Sequence, residues 1–344
     1  MILIVGVAVM AIVGVDELAS YFVDNSTPSN PAPSTVPTSA PSSSSIPSST
    51  PSRSSIPSST PSSKPTTFPV LEILQDLYYF TSGDKWKNND NWLSSSTSWC
   101  NWYGVRCAAD TETIIDISLY QNNLQGSIPS SIGLLSTLKR LGLAHSLTGT
   151  IPSEIGLLSS LKDLSLSHSS LSGSIPSEIS LLTSVQSIFM EFNSLTGTIP
   201  TSVGLLSSLK TLYLGVNSLS GSIPSEIGML SNLYVLSFLN NNIMGSIPFE
   251  LGLLSSLEIL FNFTPLSGTI PTEVGLLSSL KALSFYKNQL SGTIPSEIGM
   301  LSGLYSLSFE GNNKMNGTIP FEVCEIINSG VRISTSGTNI DNNC

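Results

Sequence analysis

The stretch from Leu209 to Leu230 reads LKTLYLGVNSLSGSIPSEIGML. Its first half alternates leucine with other residues, which is typical of a short strand with one buried face. Its second half carries a glycine, an Ile-Pro pair and an Ile-Gly pair, residues that favour turns. The stretch therefore describes one compact unit of strand and turns.

The tetrapeptide Gly-Ser/Thr-Ile-Pro recurs along most of the chain. Its glycines are Gly126, Gly149, Gly173, Gly197, Gly221, Gly245, Gly268, Gly292 and Gly317. The interval is 24 residues, with slips of one residue. This period predicts a solenoid, in which each coil buries its apolar face against its neighbours.

The repeat resembles the plant-type leucine-rich repeat, whose L-x-G-x-I-P half distinguishes it from other repeat classes. The resemblance covers about Thr113 to Pro320. It implies an α/β repeat solenoid, a right-handed superhelix of about nine to ten coils of 24 residues, with a parallel sheet on the concave side. The leucines of the L-x-L segment then point inward, and stacking hides the strand edges.

One polar residue of each repeat is expected inside the solenoid. The asparagines at this place are Asn122, Asn193, Asn217, Asn241, Asn288 and Asn312. A side-chain amide both donates and accepts hydrogen bonds, so it can pair with the backbone of adjacent coils. The second and third repeats carry His145 or Ser146, and Ser169, instead, and we predict that these two coils are less rigid.

Both ends of the repeat region resemble the caps of the same family. The resemblance implies an N-terminal cap over residues 70–112, with a helix near Val70 to Phe80 and with Trp86, Trp92, Trp99 and Trp102 over the first coil. It also implies a Cys100–Cys107 disulfide. A C-terminal cap would occupy residues 321–344, where a Cys324–Cys344 clasp gives the simplest of the three possible pairings.

The N-terminal 69 residues differ from the repeats. Residues 1–23 are largely apolar and fit either a signal peptide or a membrane anchor. Residues 24–69 are rich in Ser, Pro and Thr, which predicts a disordered stalk, either O-glycosylated or a plain linker. Both alternatives for the apolar segment place the rest of the chain outside the cytosol, secreted or at the cell surface.

Composition excludes several classes of function. The net charge is -10, and no cluster of lysine and arginine is present to neutralise phosphates, so nucleic acid is not an expected partner. Four cysteines and two histidines are too scattered for a zinc module. Recognisable catalytic motifs are missing. We therefore expect no enzyme, no cofactor and no metal.

The outward residues of the predicted sheet suggest a binding surface. The residue between the two leucines of each L-x-L segment is Ser118, Gly142, Ser165, Phe189, Tyr213, Ser237, Phe261, Ser284 or Ser308. Aromatic residues interrupt this serine background, and Phe192, Leu239, Phe263 and Tyr286 lie nearby. Exposed aromatic residues favour ligand contact. We predict an adhesive or recognition module for an extracellular protein, peptide or cell-wall glycan, unless repeat drift placed these residues or Phe261 and Phe263 turn inward.

Two further patterns carry alternatives. His145 and His168 take matching places about 5 Å apart, with Glu191 one coil further on. They fit either two ordinary surface histidines or a pH-sensitive or weak metal pair. A glutamate recurs after the Ile-Pro pair, as in Glu154 and Glu226. It fits either the first turn of a short helix, which favours an acid, or a column bridged by calcium, for which one carboxylate per coil supplies too few oxygen ligands.

Hydroxyl residues flank the glycine of most repeats. The pairs are Thr148 and Thr150, Ser172 and Ser174, Thr196 and Thr198, Ser220 and Ser222, Ser267 and Thr269, and Ser291 and Thr293. If this segment is a strand, both hydroxyls of a pair lie on one face and form a flat lattice. Such a lattice suggests ice binding as an alternative function.

Sequons for N-glycosylation occur at Asn25, Asn262 and Asn316. The sequon at Asn262 is the weakest of the three, because Pro265 follows its threonine and the asparagine side chain can point inward.

Overall fold

One short strand per coil builds a large sheet. The computed structural model describes residues 70–109 and 111–344, all within the unit Phe68–Cys344. The signal or anchor segment, the stalk and the sequon at Asn25 lie outside these residues. The predicted repeat solenoid with disulfide-linked caps is confirmed for the described part.

The large sheet contains eleven strands in the order β1 to β9, β11 and β13. All neighbours are parallel except β1 and β2. The strands are β1 Val105–Cys107, β2 Ile114–Ser118, β3 Arg140–Gly142, β4 Asp163–Ser165, β5 Ser187–Phe189, β6 Thr211–Tyr213, β7 Val235–Ser237, β8 Ile259–Phe261, β9 Ala282–Ser284, β11 Ser306–Ser308 and β13 Arg332–Ser334. A second sheet joins β10 Ser291–Gly292, β12 Lys314–Thr318 and β14 Asn339–Asp341.

Each coil buries the same leucines. Leu212 and Leu214 of β6 and the segment after it are at most 2% exposed, and Leu212 pairs in register with Ile188 and Leu236 of the neighbouring coils. This alternation puts one row of side chains inside and the next row on the open face of the sheet.

The opposite side of each coil is a 3₁₀ turn. Proline precedes each of these turns at φ between -64° and -70°, the value that its ring fixes. A Cβ at Gly133 would lie 2.2 Å from the Glu154 carbonyl oxygen, so the Ile-Gly pair permits close stacking of the turns. The turns are Ser130–Leu134, Ser153–Leu157, Ser177–Leu181, Thr201–Leu205, Ser225–Met229, Phe249–Leu253, Thr272–Leu276 and Ser296–Met300.

The asparagine ladder is formed as predicted. The Asn217 Oδ1 accepts from the backbone N–H of Leu195 at 2.9 Å, and its Nδ2 donates to the carbonyls of Met190 and Leu214 at 2.9 and 3.1 Å. In the third coil the Ser169 hydroxyl accepts from the Leu147 N–H at 3.3 Å. Serine thus supplies one acceptor where asparagine supplies an acceptor and a donor group. Lower rigidity of the second and third coils stays a prediction.

The N-terminal cap covers the first coil with a helix and tryptophans. Helix α1 spans Val70–Phe80 and buries Leu74 and Leu77 completely. Trp92 lies between Trp86 and Trp102, with ring centroids 4.8 and 5.1 Å away. The remaining cap elements are the 3₁₀ turns Gly83–Lys85 and Trp99–Asn101. The Cys100–Cys107 disulfide joins the second turn to β1.

At the other end, helix α2, Phe321–Asn328, takes the place of a 3₁₀ turn. Its Val323 is fully buried, and the Cys324–Cys344 disulfide ties it to the last described residue. Both predicted disulfides are therefore present. The cap boundaries themselves stay predictions.

Candidate binding surface on the large sheet

The open face of the large sheet presents its side chains in columns. We number the coils from one, which contains β2, to ten, which contains β13. The first column is the row of residues between the two inward positions, and the strand register aligns Ser165, Phe189, Tyr213 and Ser237 as neighbours. The serine column interrupted by aromatic rings is thus confirmed as a spatial feature.

A second and a third column follow toward the end of each strand. Backbone bonds from His168 to Glu191 and from Phe192 to Gly215 align coils three to five. The second column is Tyr120, Ala144, Ser167, Glu191, Gly215, Leu239, Phe263, Tyr286 and Glu310; the third is Gln121, His145, His168, Phe192, Val216, Asn240 and Lys287. The third-column residues have positive φ, from 49° to 81°. This conformation is uncommon for residues other than glycine.

The predicted binding residues form two groups. Phe189 stacks on Tyr213 with ring centroids 5.5 Å apart, and Phe192 stacks on His168 at 4.4 Å. In the other group, Phe263 meets Tyr286 edge to face at 5.4 Å.

Leu239 lies between the two groups, and Phe261 is flanked by the buried Ser237 and Ser284. All seven side chains are half-buried. Contacts between coils cover part of the Phe189, Tyr213, Phe192, Phe263 and Tyr286 rings, and the role of the seven residues in binding stays a prediction. Phe261 and Phe263 do not turn fully inward.

The seventh coil is one residue short and has polar residues at inward positions. Asn262 occupies an inward position at 1% exposure, and the Thr264 hydroxyl donates to its Oδ1 at 2.8 Å. A buried, bonded amide is inaccessible to glycosylation in the folded protein, so the predicted sequon at Asn262 is wrong. Asn316 is exposed, and its glycosylation stays a prediction.

The two histidines stack as expected from their spacing. Their ring centroids are 5.2 Å apart, with an interplanar angle of 13°. Burial lowers the pKa of both rings; Lys87 lowers that of His145 further, and His145 lowers that of His168. Among the residues that the structure describes, no group of three metal-ligating side chains of His, Cys, Asp or Glu comes together.

Glu191 is the functional candidate that the sequence did not single out as a site. Its side chain stands in the second column, and its Oε2 is shielded from solvent without a hydrogen-bond partner in the described structure. Burial raises the pKa of this carboxyl to about 7, although its own backbone and the Ser167 side chain oppose the rise. Burial and Glu191 also raise the pKa of Tyr213. The signal in the sequence was an acid between two small residues, Ser167 and Gly215, of the neighbouring coils.

A network of ion pairs joins strands β1 to β4 of the large sheet. Asp116 accepts from Arg106 and Arg140 at 2.8 and 2.9 Å, and Arg140 lies 3.6 Å from Asp163. These groups therefore neutralise each other.

The hydroxyl pairs beside the glycines do not form the predicted lattice. The glycines have φ near 75°, and isolated bridges such as Thr150 with Ser172 replace a regular strand in coils two to five. Ser172 and Ser220 donate to the glycine carbonyls of the preceding coils at 3.1 Å. The hydroxyl in front of the glycine is thus hydrogen-bonded in coils three and five.

A single exposed hydroxyl column remains after the glycines. It consists of Thr150, Ser174, Thr198, Ser222, Ser246, Thr269, Thr293 and Thr318. A Cβ on Gly173 would lie 3.0 Å from the Thr150 methyl carbon, so the glycine makes room for the threonine of the preceding coil.

An apolar column on the 3₁₀ turns was missed in the sequence. Its members are 47 to 66% exposed: Leu134, Leu157, Leu181, Leu205, Met229, Leu253, Leu276 and Met300. Each directly precedes a buried leucine, so sequence periodicity does not separate the two. The glutamates of the same turns stand in the first turn, as at Glu154 and Glu226.

Comparisons with known proteins agree with this architecture. A family model described as Leucine Rich Repeat matches residues 160–182, 208–230 and 279–301. The chain is 30% identical to the ectodomain of the plant membrane receptor kinase GASSHO1/SCHENGEN3 from Arabidopsis thaliana, solved in complex with CASPARIAN STRIP INTEGRITY FACTOR 2, with a TM-score of 0.70. That similarity covers 79% of this chain and 35% of the ectodomain. The described part of the chain therefore has the fold of a leucine-rich-repeat solenoid, and its repeats are similar to those of this plant ectodomain.

Two plant receptor kinases are also similar to the chain. The Arabidopsis receptor kinase HAESA ectodomain, in complex with an extended IDA peptide hormone, is 29% identical with a TM-score of 0.60, over 74% of this chain and 47% of that one. Receptor-like protein kinase HSL1 of Arabidopsis thaliana is 42% identical over 53 residues, 15% of this chain and 5% of that protein. The chain thus resembles plant receptor ectodomains but spans less than half of these relatives.

A plant ice-binding protein also shares the fold. The identity is 24%, the TM-score is 0.60, and the similarity covers 80% of this chain and 97% of that one. At this identity the likeness concerns the fold alone.

No helix among the described residues has the length and apolar character needed to cross a membrane.

Proposed function

We propose that the chain is an extracellular, non-catalytic recognition module that binds a peptide or protein segment on the large sheet, at coils three to five. The observation that carries the proposal is the clustering of stacked rings around the Glu191 carboxyl, whose Oε2 is buried without a hydrogen-bond partner. The stacks are Phe189 with Tyr213 and His168 with Phe192. Rigid aromatic rings bind with little loss of conformational entropy, and they dominate many interfaces.

The comparisons support a peptide or protein partner. The HAESA ectodomain is described in complex with a peptide hormone, and the GASSHO1/SCHENGEN3 ectodomain with a named factor. A cell-wall glycan is the alternative ligand, because aromatic rings also stack on sugars. The same relatives support a location outside the cell or at its surface.

A peptide library tests the proposal. Random peptides are selected on the immobilised full chain, and the dissociation constant of the tightest one is measured. Replacing Phe189 and Tyr213 by serine removes two half-buried rings from the sheet face at coils four and five, and we expect binding to weaken at least about tenfold.

Phe249→Ser and Phe321→Ser provide the matched control, since these rings are 60 and 71% exposed and lie outside the sheet. They should leave binding unchanged. Equal loss in both variants, or no loss in the sheet variant, would contradict a binding surface at this place.

Ice binding is the second candidate function. The observation in its favour is the column of eight exposed hydroxyls, one per coil, after the glycines. Freezing and melting points of solutions of the full chain give the test. Thermal hysteresis that disappears on replacing Thr150 and Thr198 by lysine would support it, whereas coincident freezing and melting points would exclude it.

A further inference from the structure

The Glu191 site, as we name it, lies in the fourth coil on the open face of the large sheet. Glu191 stands there in the second column, between the small residues Ser167 and Gly215. The first column borders one side with the stacked Phe189 and Tyr213 rings. The third column borders the other side.

The border on that side is a row of stacked rings. His145, His168 and Phe192 follow one another with centroid spacings of 5.2 and 4.4 Å and interplanar angles of 13° and 11°. The carboxyl of the fourth coil is therefore framed by flat rings on two sides.

One oxygen of the Glu191 carboxyl can accept a further hydrogen bond. The Oε2 of Glu191 has no hydrogen-bond partner and is shielded from solvent, yet the residue as a whole is only half-buried. A buried polar atom without a partner costs free energy and is rare in folded proteins, so a group that supplies the missing hydrogen bond would be stabilised there. Elsewhere in the same column, the Glu310 Oε2 accepts from the Ser334 hydroxyl at 2.9 Å. Glu191 is thus the unusual member of its column.

The Glu191 carboxylate and the rings beside it determine which charge and shape of ligand group would fit. A carboxylate pairs with a cation, and the fork of a guanidinium matches its two oxygens. Guanidinium groups also stack on aromatic faces, whereas an ammonium offers neither the plane nor the fork. Arg106 and Arg140 pair with Asp116 in strands β1 to β3, whereas Glu191 follows strand β5.

We propose that the Glu191 site binds the guanidinium of an arginine side chain in the partner peptide. The carboxylate receives its N–H groups, and the rings of Phe189 and Tyr213 or of His168 and Phe192 contact its faces. This inference rests on the proposed function, because it assigns the chemistry of one position within that binding surface.

The test uses two small probes on the full chain. N-acetyl-arginine amide carries the guanidinium, and N-acetyl-citrulline amide has the same shape without the charge. We expect the full chain to bind the arginine probe at least about tenfold more tightly in an NMR titration, the ratio that corresponds to one charge-assisted hydrogen bond. Glu191→Gln, which preserves size, should reduce this preference to about one.

Glu310→Gln is the matched control in the same column and should retain the preference for arginine. Equal binding of the two probes by the unmodified chain, or a preference that survives Glu191→Gln, would overturn the proposal. The peptide selection separates this result from the proposed function. Peptides that need Phe189 and Tyr213 but not arginine would leave the binding surface in place and remove only the arginine position.

Discussion

At the scale of single residues, the position of a side chain in the repeat does not determine its hydrogen bonding. Glu191 and Glu310 stand in the same column of the sheet, yet one carboxyl oxygen is buried without a partner and the other is hydrogen-bonded. The difference comes from the side chains of adjacent coils. Sequence periodicity predicts the column but not these neighbours, which is why Glu191 was noted only beside the histidine pair.

Glu191 makes the stability of the fold depend on pH. Its pKa is raised from 4.5 to about 7, so the folded chain holds this proton more tightly than the unfolded chain does. The stabilising effect of protonation is present below pH 4.5 and is lost as the pH rises to 7. Above that range the ionised carboxylate costs up to about 3 kcal/mol.

We therefore expect Glu191→Gln to equal the unmodified chain in stability near pH 4 and to exceed it, by up to about 3 kcal/mol, near pH 8. Urea unfolding at both pH values measures this difference. His145 and His168 titrate in both proteins and cancel in the comparison. A gain of the same size at both pH values would contradict the assigned pKa.

The asparagine ladder gives a second prediction at this scale. Asn217→Ala removes the partners of the Leu195 N–H and of the Met190 and Leu214 carbonyls. We expect a loss of about 2–3 kcal/mol in the free energy of unfolding, because buried polar groups are left without partners. Ser218→Ala, at the exposed neighbour, should change stability little. A similar effect of both substitutions would argue against the ladder.

At the scale of the repeated element, two adjacent leucines differ completely. Leu205 ends its 3₁₀ turn at 59% exposure, whereas Leu206 is fully buried. Hydrophobicity alone does not separate them; the geometry of the turn after the Ile-Gly or Val-Gly pair does. The apolar column on the turns was therefore hidden from the sequence, although the inward leucines and the sheet register were predicted.

Substitutions at this pair measure the distinction. Leu206→Ala creates a cavity between coils and is expected to cost about 2–5 kcal/mol. Leu205→Ala is expected to change the free energy of unfolding by less than about 0.5 kcal/mol. Denaturant unfolding of both variants provides the comparison. A larger loss at Leu205 than at Leu206 would show that the turn faces the other way.

The repeat also shows where regularity ends. The hydroxyl lattice was predicted from a strand beside each glycine, but isolated bridges stand there instead of a regular strand in coils two to five. In the short seventh coil, Asn262 and Thr264 fill an inward position together. Both departures depend on backbone geometry that a pattern of residue types does not contain.

At the scale of the whole molecule, stability depends on stacking between neighbouring coils and on closed ends. The period and the cap motifs predicted this architecture, including both disulfides. The ligand was not predictable, because it depends on side chains contributed by several coils.

The C-terminal clasp allows a prediction on end stability. Replacing Cys324 and Cys344 by serine opens a covalent loop with a sequence separation of 20 residues, worth about 3 kcal/mol by loop entropy. Because coils contact only their neighbours, the loss should concentrate at the end. We expect faster hydrogen exchange in β13 and β14 and little change in β3 to β5. Uniform acceleration along all strands would contradict this nearest-neighbour behaviour.

The central claim is that the open face of the large sheet at coils three to five is the binding surface. Hydrogen–deuterium exchange of the full chain, with and without the tightest selected peptide, tests it most directly. We expect slower exchange in residues 163–169, 187–193 and 211–217 when the peptide is bound. Protection confined to the hydroxyl column at Thr150, Ser174 and Thr198, or to the 3₁₀ turns, would contradict it.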